Sequence, residues 1–537
     1  MAAVTAAEAV APSGAPAPAA SASGTRVTPV GIALAASLLS GIGGQLVGAN
    51  AADIQGGIGA SSDEGSFFTT AYIMAQFGGI VCAGPLIAAF GLGRYLTAST
   101  MLFAAAALAC ASAPPPSGLI MLRMVQGFAA GGLGPAGFVA VFMAFGGGAR
   151  LPAGLTFLAF ALLLPVALGP VLSGHLQHAL GWEALFLVQA AAAAAIATAA
   201  ACLLPRAPIA WPALRRDWGA MLLFSLAMAA TILVVSQGSR RYWLDSGLIG
   251  WSLAASLAAW AGFIFTAWRS PVPVLNVSLL SRRRFVMPIA LNFLFRIGLA
   301  GVTVVMPLLL AMAASYRPLE IGSLFVWALV PQLLAFPTAF LLLHLADGRL
   351  IMAAGLLLLA LGMVLAADSS NLIGAEQLRL PMVLAGAGQV FFLVPNIMAG
   401  VRSIHPSDGP TISLMFNATS LGGTSIGAGL ASELITERQK YHFQALTEAA
   451  GANGSQIGRI EELSGALQLG GADEMLSAAR TVATIVSALR REAFILSANE
   501  AFLVAVAILL AGAFGIMLLD RQPRLSAASG LGPGAAR

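Results

Sequence analysis

The stretch LIMLRMVQGFAAGGLGPAG (119–137) sets one guanidinium, that of Arg123, inside an otherwise apolar run. In hydrocarbon such a side chain costs roughly 2.5 to 3.5 kcal/mol on insertion scales, so it is expected to face a polar cavity or a partner. Arg123, Gln126, Gly127, Ala130, Gly131 and Gly134 recur at spacings of three and four, which places a charge, an amide and a strip of small residues on one helix face. Small residues at that spacing are also the ordinary means by which membrane helices pack. After a turn around Arg150, a second apolar segment carries Pro165, Gly169-Pro170 and Gly174. Proline removes a backbone donor and glycine weakens the ladder, predicting a bent and tightly packed helix.

Composition sets the class. With 58% hydrophobic residues and 9% charged ones over 537 residues, and a mean hydropathy of +0.88, the chain repeats apolar runs long enough to cross a bilayer. It reads as an all-α polytopic membrane protein embedded in lipid. Cys82, Cys110 and Cys202 lie in apolar runs at irregular spacing, which supports neither a disulfide framework nor a zinc site and suggests core residues. The net charge of +5 comes from arginine, Lys440 being the one lysine, and in such a chain it speaks of topology rather than of a nucleic-acid partner.

Residues 1–27 are mostly Ala, Pro, Ser and Gly, a composition too poor in apolar surface to order itself, and they read as a disordered cytoplasmic tail without the features of a cleaved signal peptide. Fourteen spans follow, near 28–50, 66–88, 95–113, 119–143, 153–174, 182–204, 219–238, 247–268, 286–313, 320–345, 350–367, 380–402, 412–435 and 500–519. An even count puts most arginines, among them Arg94, Arg150, Arg206, Arg349 and Arg402, on the side of the N-terminus, which the positive-inside rule makes cytoplasmic. Arg240, Arg241, Arg317 and Arg379 fall on the other side, and a shifted boundary around the seventh and eighth spans is the expected explanation for the first two. Between the last two spans, 437–497 alternates Arg and Glu with an apolar stripe that includes Met475, Leu476, Ala479, Val482, Val486 and Leu489. It reads as an amphipathic helical hairpin outside the membrane, either a cap on the bundle or a docking surface.

The motifs resemble a known family. LIMLRMVQGFAAGGLGPAG (119–137) is similar to the fourth-helix motif of the major facilitator superfamily, with Arg123, Gln126 and Gly127 in matching positions. ALGPVLSG (167–174), followed by Trp182 and Phe186, resembles the fifth-helix antiporter motif. NATSLGGTSIGAGL (417–430), ERQKYHFQAL (437–446) and ANEAF (498–502) resemble the thirteenth helix, long loop and fourteenth-helix entry of the EmrB/QacA-type drug:proton antiporter branch. The resemblance implies two six-helix bundles, 28–204 and 286–519, with two extra spans in the linker 205–285, the hairpin 437–497 in the second bundle and a cytoplasmic tail at 520–537. It implies multidrug-type efflux by alternating access, proton antiport being one form and an uncoupled or differently coupled carrier the other. A bacterial inner-membrane location and a periplasmic adaptor protein docked on 437–497 are also implied.

Departures from the family pattern are specific. GPLIAAFGLGRYL (84–96) keeps Gly84, Gly91 and Arg94 of the loop between helices two and three but has Ala88 in place of the expected aspartate, while Asp347 with Arg349 supplies the counterpart pair in the second half. The first helix lacks the expected membrane acid; Gly43 stands near its place and Asp53 lies about three turns further out. In the antiporter motif Pro165 and Ser173 replace glycines.

Proton coupling needs a carboxyl whose affinity for its proton responds to access, burial raising it and a nearby arginine lowering it. Asp53, Glu64 and Glu433 are the candidates, each also readable as a solvated residue at a membrane boundary. Arg296 near Asn292 is the other deep charge, suited to facing a substrate or to pairing helices, and Gln389 and Asn417 are further polar groups for a cavity. Sparse polar groups in apolar walls favour amphipathic or lipophilic small molecules. There is no phosphate-binding Gly-rich loop, and the histidines are scattered, so neither an ATP-driven pump nor an enzyme is expected, nor any cofactor. A reporter active only in the cytoplasm, inserted within 437–497, is expected to be silent; activity there would overturn this topology.

Overall fold

The computed structural model describes residues 27–146, 148–270, 277–402, 409–452, 474–522 and 524–525, all helix and connection with no strand among them. The expected tail 1–27 lies outside these residues except for Val27, as do 526–537 of the C-terminal tail and 453–473 of the 437–497 segment. The long helices are α1 (Val27–Ala49), α2 (Ser62–Phe90), α3 (Leu92–Ala111), α4 (Pro116–Phe145), α5 (Leu151–Leu180), α6 (Glu183–Leu203) and α7 (Trp218–Gln237). They continue with α8 (Gly247–Arg269), α9 (Arg283–Ala313), α10 (Pro318–Leu345), α11 (Gly348–Ala366), α12 (Ala375–Arg402), α13 (Gly409–Ala452) and α14 (Glu474–Met517).

Thirteen of them are long and apolar enough to cross a membrane, α13 being the exception to the fourteen spans read from sequence. The reason is its first half, where Ser413, Asn417, Thr419, Ser420, Thr424 and Ser425 lower the hydropathy. These groups turn inward. Asn292 of α9 donates to the hydroxyls of Thr419 and Ser420, and Ser413 donates to the Pro135 carbonyl of α4, so α13 is a polar helix kept inside the bundle.

Helices α1–α6 pack on one another, as do α9–α14, giving two six-helix bundles. The extra pair is asymmetric: α7 leans on both α2 and α13, while α8 contacts chiefly α7 and leaves Trp251 and Trp268 on the outer surface. The bundles meet along α5 against α10 and α4 against α13. Phe160 packs edge-on against Phe336 at 5.1 Å between α5 and α10, and Phe138 tilts against Phe416 at 5.4 Å between α4 and α13.

Several expectations are corrected. In the segment read as a helical hairpin, α13 runs on from its membrane part to Ala452 and α14 begins at Glu474, so the two described arms are direct extensions of the spans. They are joined at their base by Glu500, which accepts from Arg438 (Nη2 to Oε1 2.8 Å) and contacts His442 at 3.0 Å. No boundary shift explains Arg240 and Arg241, because α7 and α8 end where the hydropathy puts them. Both arginines are instead tied to the start of α2, Arg240 to the Ser62 hydroxyl at 2.6 Å and Arg241 to Asp63 at 3.6 Å. Arg379 is likewise paired, with Glu376. Cys110 is buried, but Cys202 is exposed on α6 rather than in the core.

Candidate functional site

The second helix of the motif region, α5, runs unbroken through both of its prolines. What Pro165, Gly169, Pro170 and Gly174 provide is close approach. The Pro165 ring presses on Gly41 of α1, where a Cβ would lie 2.5 Å from it, and a Cβ on Gly169 would lie 2.4 Å from the Gln45 Cβ. On the far side of α5, a Cβ on Gly174 would lie 2.6 Å from the Pro318 carbonyl oxygen, and one on Gly322 of α10 would meet the Pro170 carbonyl at 2.6 Å. One helix thus touches the backbone of each bundle. The break falls instead in α4, whose two parts Pro116–Gly131 and Leu133–Phe145 are separated at Gly132, beside the Tyr95 side chain.

A cavity of about 320 Å³ lies between the bundles, lined by α1, α2, α4, α5, α9 and α13. Its polar wall is built from Ser37, Gln45, Tyr72, Gln76, Asn417 and Thr424, its apolar wall from residues such as Ile73, Leu162, Val166 and Leu421, with Pro165 between them. In α9 the turn Gly301–Val305 is π-helical and brings Thr303 and Val304 to the cavity. Widened turns of this kind concentrate at functional sites. Arg296, 6% exposed, is the one charged residue in the lining among the described residues.

Arg123 is elsewhere. It is fully buried in α4 behind Tyr72, whose ring lies 4.0 Å from the guanidinium carbon, and it does not line the cavity. Its Nε donates to the Phe68 carbonyl (3.2 Å) and its Nη1 to Gln126 Oε1 (2.6 Å), while Gln126 Nε2 donates to Gln189 Oε1 of α6 (3.0 Å). The expectation that it faces a cavity gives way to the other half of the same reasoning: it has partners, Phe68 of α2 and Gln126 of its own helix, with Gln126 passing the link on to α6. Gly127 makes this possible, since a Cβ there would lie 2.2 Å from the Tyr72 carbonyl oxygen. Tyr72 in turn donates to the Ser40 carbonyl of α1 at 3.1 Å, so Arg123 reaches the cavity only through the tyrosine that covers it.

The other predicted groups divide in the same way. Asn417 lines the cavity, its amide donating to the Ser413 carbonyl at 2.8 Å. Asn292 uses its Nδ2 to pair α9 with α13, and Gln389 is buried within α12 away from the lining. At the α2–α3 turn Gly91 has φ +79°, a conformation that favours glycine, and Arg94 donates Nη1 to the Ala207 carbonyl (2.5 Å) in place of the missing acid. Gly84 stands near the start of α13, a Cβ there lying 3.9 Å from that of Pro410. Asp347 caps α11 and pairs with Arg349 at 3.2 Å, and Arg349 Nη1 and Asp347 Oδ1 also hold the backbone of Leu519 and Gln522.

None of the proposed proton carriers lines the cavity. Asp53 sits in the short helix Ala51–Gly57, Glu64 is exposed in the capping box that starts α2, and Glu433 accepts from Trp243 Nε1 at 2.9 Å. Among the described residues no three His, Cys, Asp or Glu cluster as metal ligands would. The residues missed from sequence were Tyr72, Gln45 and Thr303, but Asn417, Ser420, Thr424 and Ala428 recur at three and four on one face of α13, a signal that was there to be read.

Residues 33–428 match the sequence profile of the Major Facilitator Superfamily. A multidrug resistance protein B homolog of Mycobacterium tuberculosis is 27% identical over 377 residues, 68% of this chain and 68% of that protein. The colistin resistance protein EmrB of Acinetobacter baumannii is 21% identical over 491 residues, 89% and 93% of the two chains. Among solved structures, the human organic anion transporter MFSD10 shares the fold with a TM-score of 0.54 at 15% identity, over 90% of this chain and 99% of that one.

Removing the Arg123 side chain leaves the Phe68 carbonyl and Gln126 without their donor in the membrane interior, at about 1–3 kcal/mol for each orphaned group. Arg123→Ala is expected to insert but to melt earlier in detergent and to lose transport, and Arg123→Lys to recover little, one ammonium being unable to span both acceptors. Normal flux in Arg123→Ala would reduce the residue to helix packing.

Proposed function

Because this chain belongs to the major facilitator superfamily, we propose that it is a secondary transporter exporting small amphipathic or lipophilic compounds across the plasma membrane by alternating access. The observation that carries this reading is the cavity between the bundles, of the size and mixed lining that suit a drug-sized molecule. The multidrug and colistin resistance named for its relatives supports export over uptake. A bacterial inner membrane with both termini cytoplasmic is the setting proposed, and 28–204, 205–285 and 286–519 are proposed as the units that move. The transport and gating roles of Arg123, Gln126, Gly127, Gly84, Gly91, Arg94, Asp347 and Arg349 belong to the same proposal.

Proton antiport is the first form of coupling. A carrier that is uncoupled, or coupled to something else, is the second, and it is favoured by a lining that contains no carboxyl among the described residues. An acid can couple transport only if the two access states give it different affinities for the proton. Under antiport, Asp53, Glu64 or Glu433 must therefore approach the cavity in another state. Flux into vesicles with and without an imposed pH gradient separates the two: dependence on the gradient supports antiport, equal flux supports the second form, and no flux of any amphipathic compound overturns the export reading.

The arms of α13 and α14 are proposed as the docking surface for a periplasmic adaptor protein. Excising 437–497 is then expected to abolish export in cells that contain the adaptor; unchanged export would remove the adaptor from the reading.

A further inference from the structure

Two arginines are buried in the bundle among the described residues, and they differ in how far they are answered: Arg123 leaves only its Nη2 without a partner, Arg296 the whole guanidinium. Arg123 is surrounded by a carbonyl, an amide and a tyrosine face. Arg296 has no ion pair or hydrogen bond among the described residues; its Nε is buried without a partner, and the nearest aromatic ring, that of Phe295, is 5.6 Å away. Yet Arg296 is the one that lines the cavity. A guanidinium keeps its proton in proteins, so this is a fixed positive charge rather than a titrating one.

The groups around it do not neutralise it. Facing Arg296 across the cavity are Ser37, Ser40 and Gln45 of α1, Thr69, Tyr72 and Gln76 of α2, and small or apolar residues of α4 and α5, none of them an acid. On its own helix Asn292 donates Nδ2 to Thr419 and Ser420, and its Oδ1, buried without a partner, is a neutral acceptor that brings no negative charge. The hydroxyls beside it donate to carbonyls of their own helices, Thr303 to Leu299, Thr424 to Ser420 and Ser425 to Leu421. Their protons are therefore occupied, and Arg296 is the strongest free donor that the wall offers. Gly423 fixes where it sits, since a Cβ there would lie 2.8 Å from the Arg296 Cβ and push α13 away from α9.

Resting on the export reading, we infer that this cavity takes amphipathic compounds bearing one anionic group, a carboxylate, phenolate or sulfonate, with Arg296 as its partner. Charge-assisted hydrogen bonds from a planar fork are strong, and the apolar wall receives the rest of the molecule. A cation of the same shape meets an uncompensated positive charge in a medium of low dielectric, so discrimination comes from repulsion as well as attraction.

The test uses the purified full chain in lipid vesicles and three probes that share one fluorescent aromatic body and end in a carboxylate, a carboxamide or a trimethylammonium group. The carboxylate is expected to move at least tenfold faster than the ammonium compound, Arg296→Gln to lower carboxylate flux at least tenfold, and Arg296→Lys to restore part of it. Should Arg296→Gln fail to fold, competition on the parent protein decides: excess unlabelled carboxylate should block flux of the labelled one, and excess ammonium compound should not. Preference of the parent for the ammonium probe, or parent-like carboxylate flux in a well-folded Arg296→Gln, overturns the anion assignment while leaving export intact. Movement of none of the three by the parent overturns the export reading, and the assignment falls with it.

Discussion

In hydrocarbon there is no water to complete an unmade hydrogen bond, so every polar group on these helices has to be answered from within the protein or from a cavity it encloses. The structure is arranged around that constraint. Serine and threonine hydroxyls fold back onto the carbonyl four residues earlier, as at Thr100, Ser225 and Thr338. Amides are used between helices, as Gln237 of α7 is on Thr70 of α2 and Asn396 of α12 is on the Pro288 carbonyl of α9. The buried guanidinium of Arg123 sits where three helices can contribute to it, and that requires α2 and α4 to touch backbone to backbone. Glycine at 127 and 131 is the condition for the contact, because any side chain there would meet the carbonyl of Tyr72 or Gln76.

The same constraint accounts for the seam between the halves. Where α5 meets α10, Gly174 and Gly322 bring carbonyls of the opposite helix within 2.6 Å of where a Cβ would be, and with Phe160 on Phe336 they make a surface of backbone, small side chains and aromatic rings that has few polar groups to satisfy when it slides or parts. Where α4 meets α13 the contact is aromatic and hydroxyl, Phe138 on Phe416 and Ser413 on the Pro135 carbonyl. The two seams differ in chemistry, and the cavity lies between them.

What could be read from the chain was what is local. The helical spacing of Arg123, Gln126 and Gly127 identified one face, the absence of an acid at Ala88 was plain, and the hydrophobic runs placed nearly every helix. Partners distant in sequence could not be read. Arg94 finds the Ala207 carbonyl, and Asn292 finds the hydroxyls of α13 more than a hundred residues later. Hydropathy marks a change of solvent and not of structure: the thirteenth span reads as ending near 435 and the fourteenth as beginning at 500, and the helices run on through both points. The span at 412–435 is legible despite the polar groups of α13, and a helix surrounded by other helices has no need to be apolar on every side.

The continuity of α13 and α14 has a mechanical meaning. Each is 44 residues long, so each extends about 66 Å, roughly twice the thickness of a bilayer's hydrocarbon core. The half of α13 that carries Asn417, Ser420 and Thr424 in the cavity wall is the same rigid rod as the half that projects beyond Glu433. A small tilt at the wall becomes a larger displacement at the projecting end, in proportion to distance from the pivot, and the Arg438–Glu500 pair makes the two rods move together. Any tilt of the wall half of α13 would therefore be read out at the projecting arms, and a load placed on them would act on the helix that forms the wall.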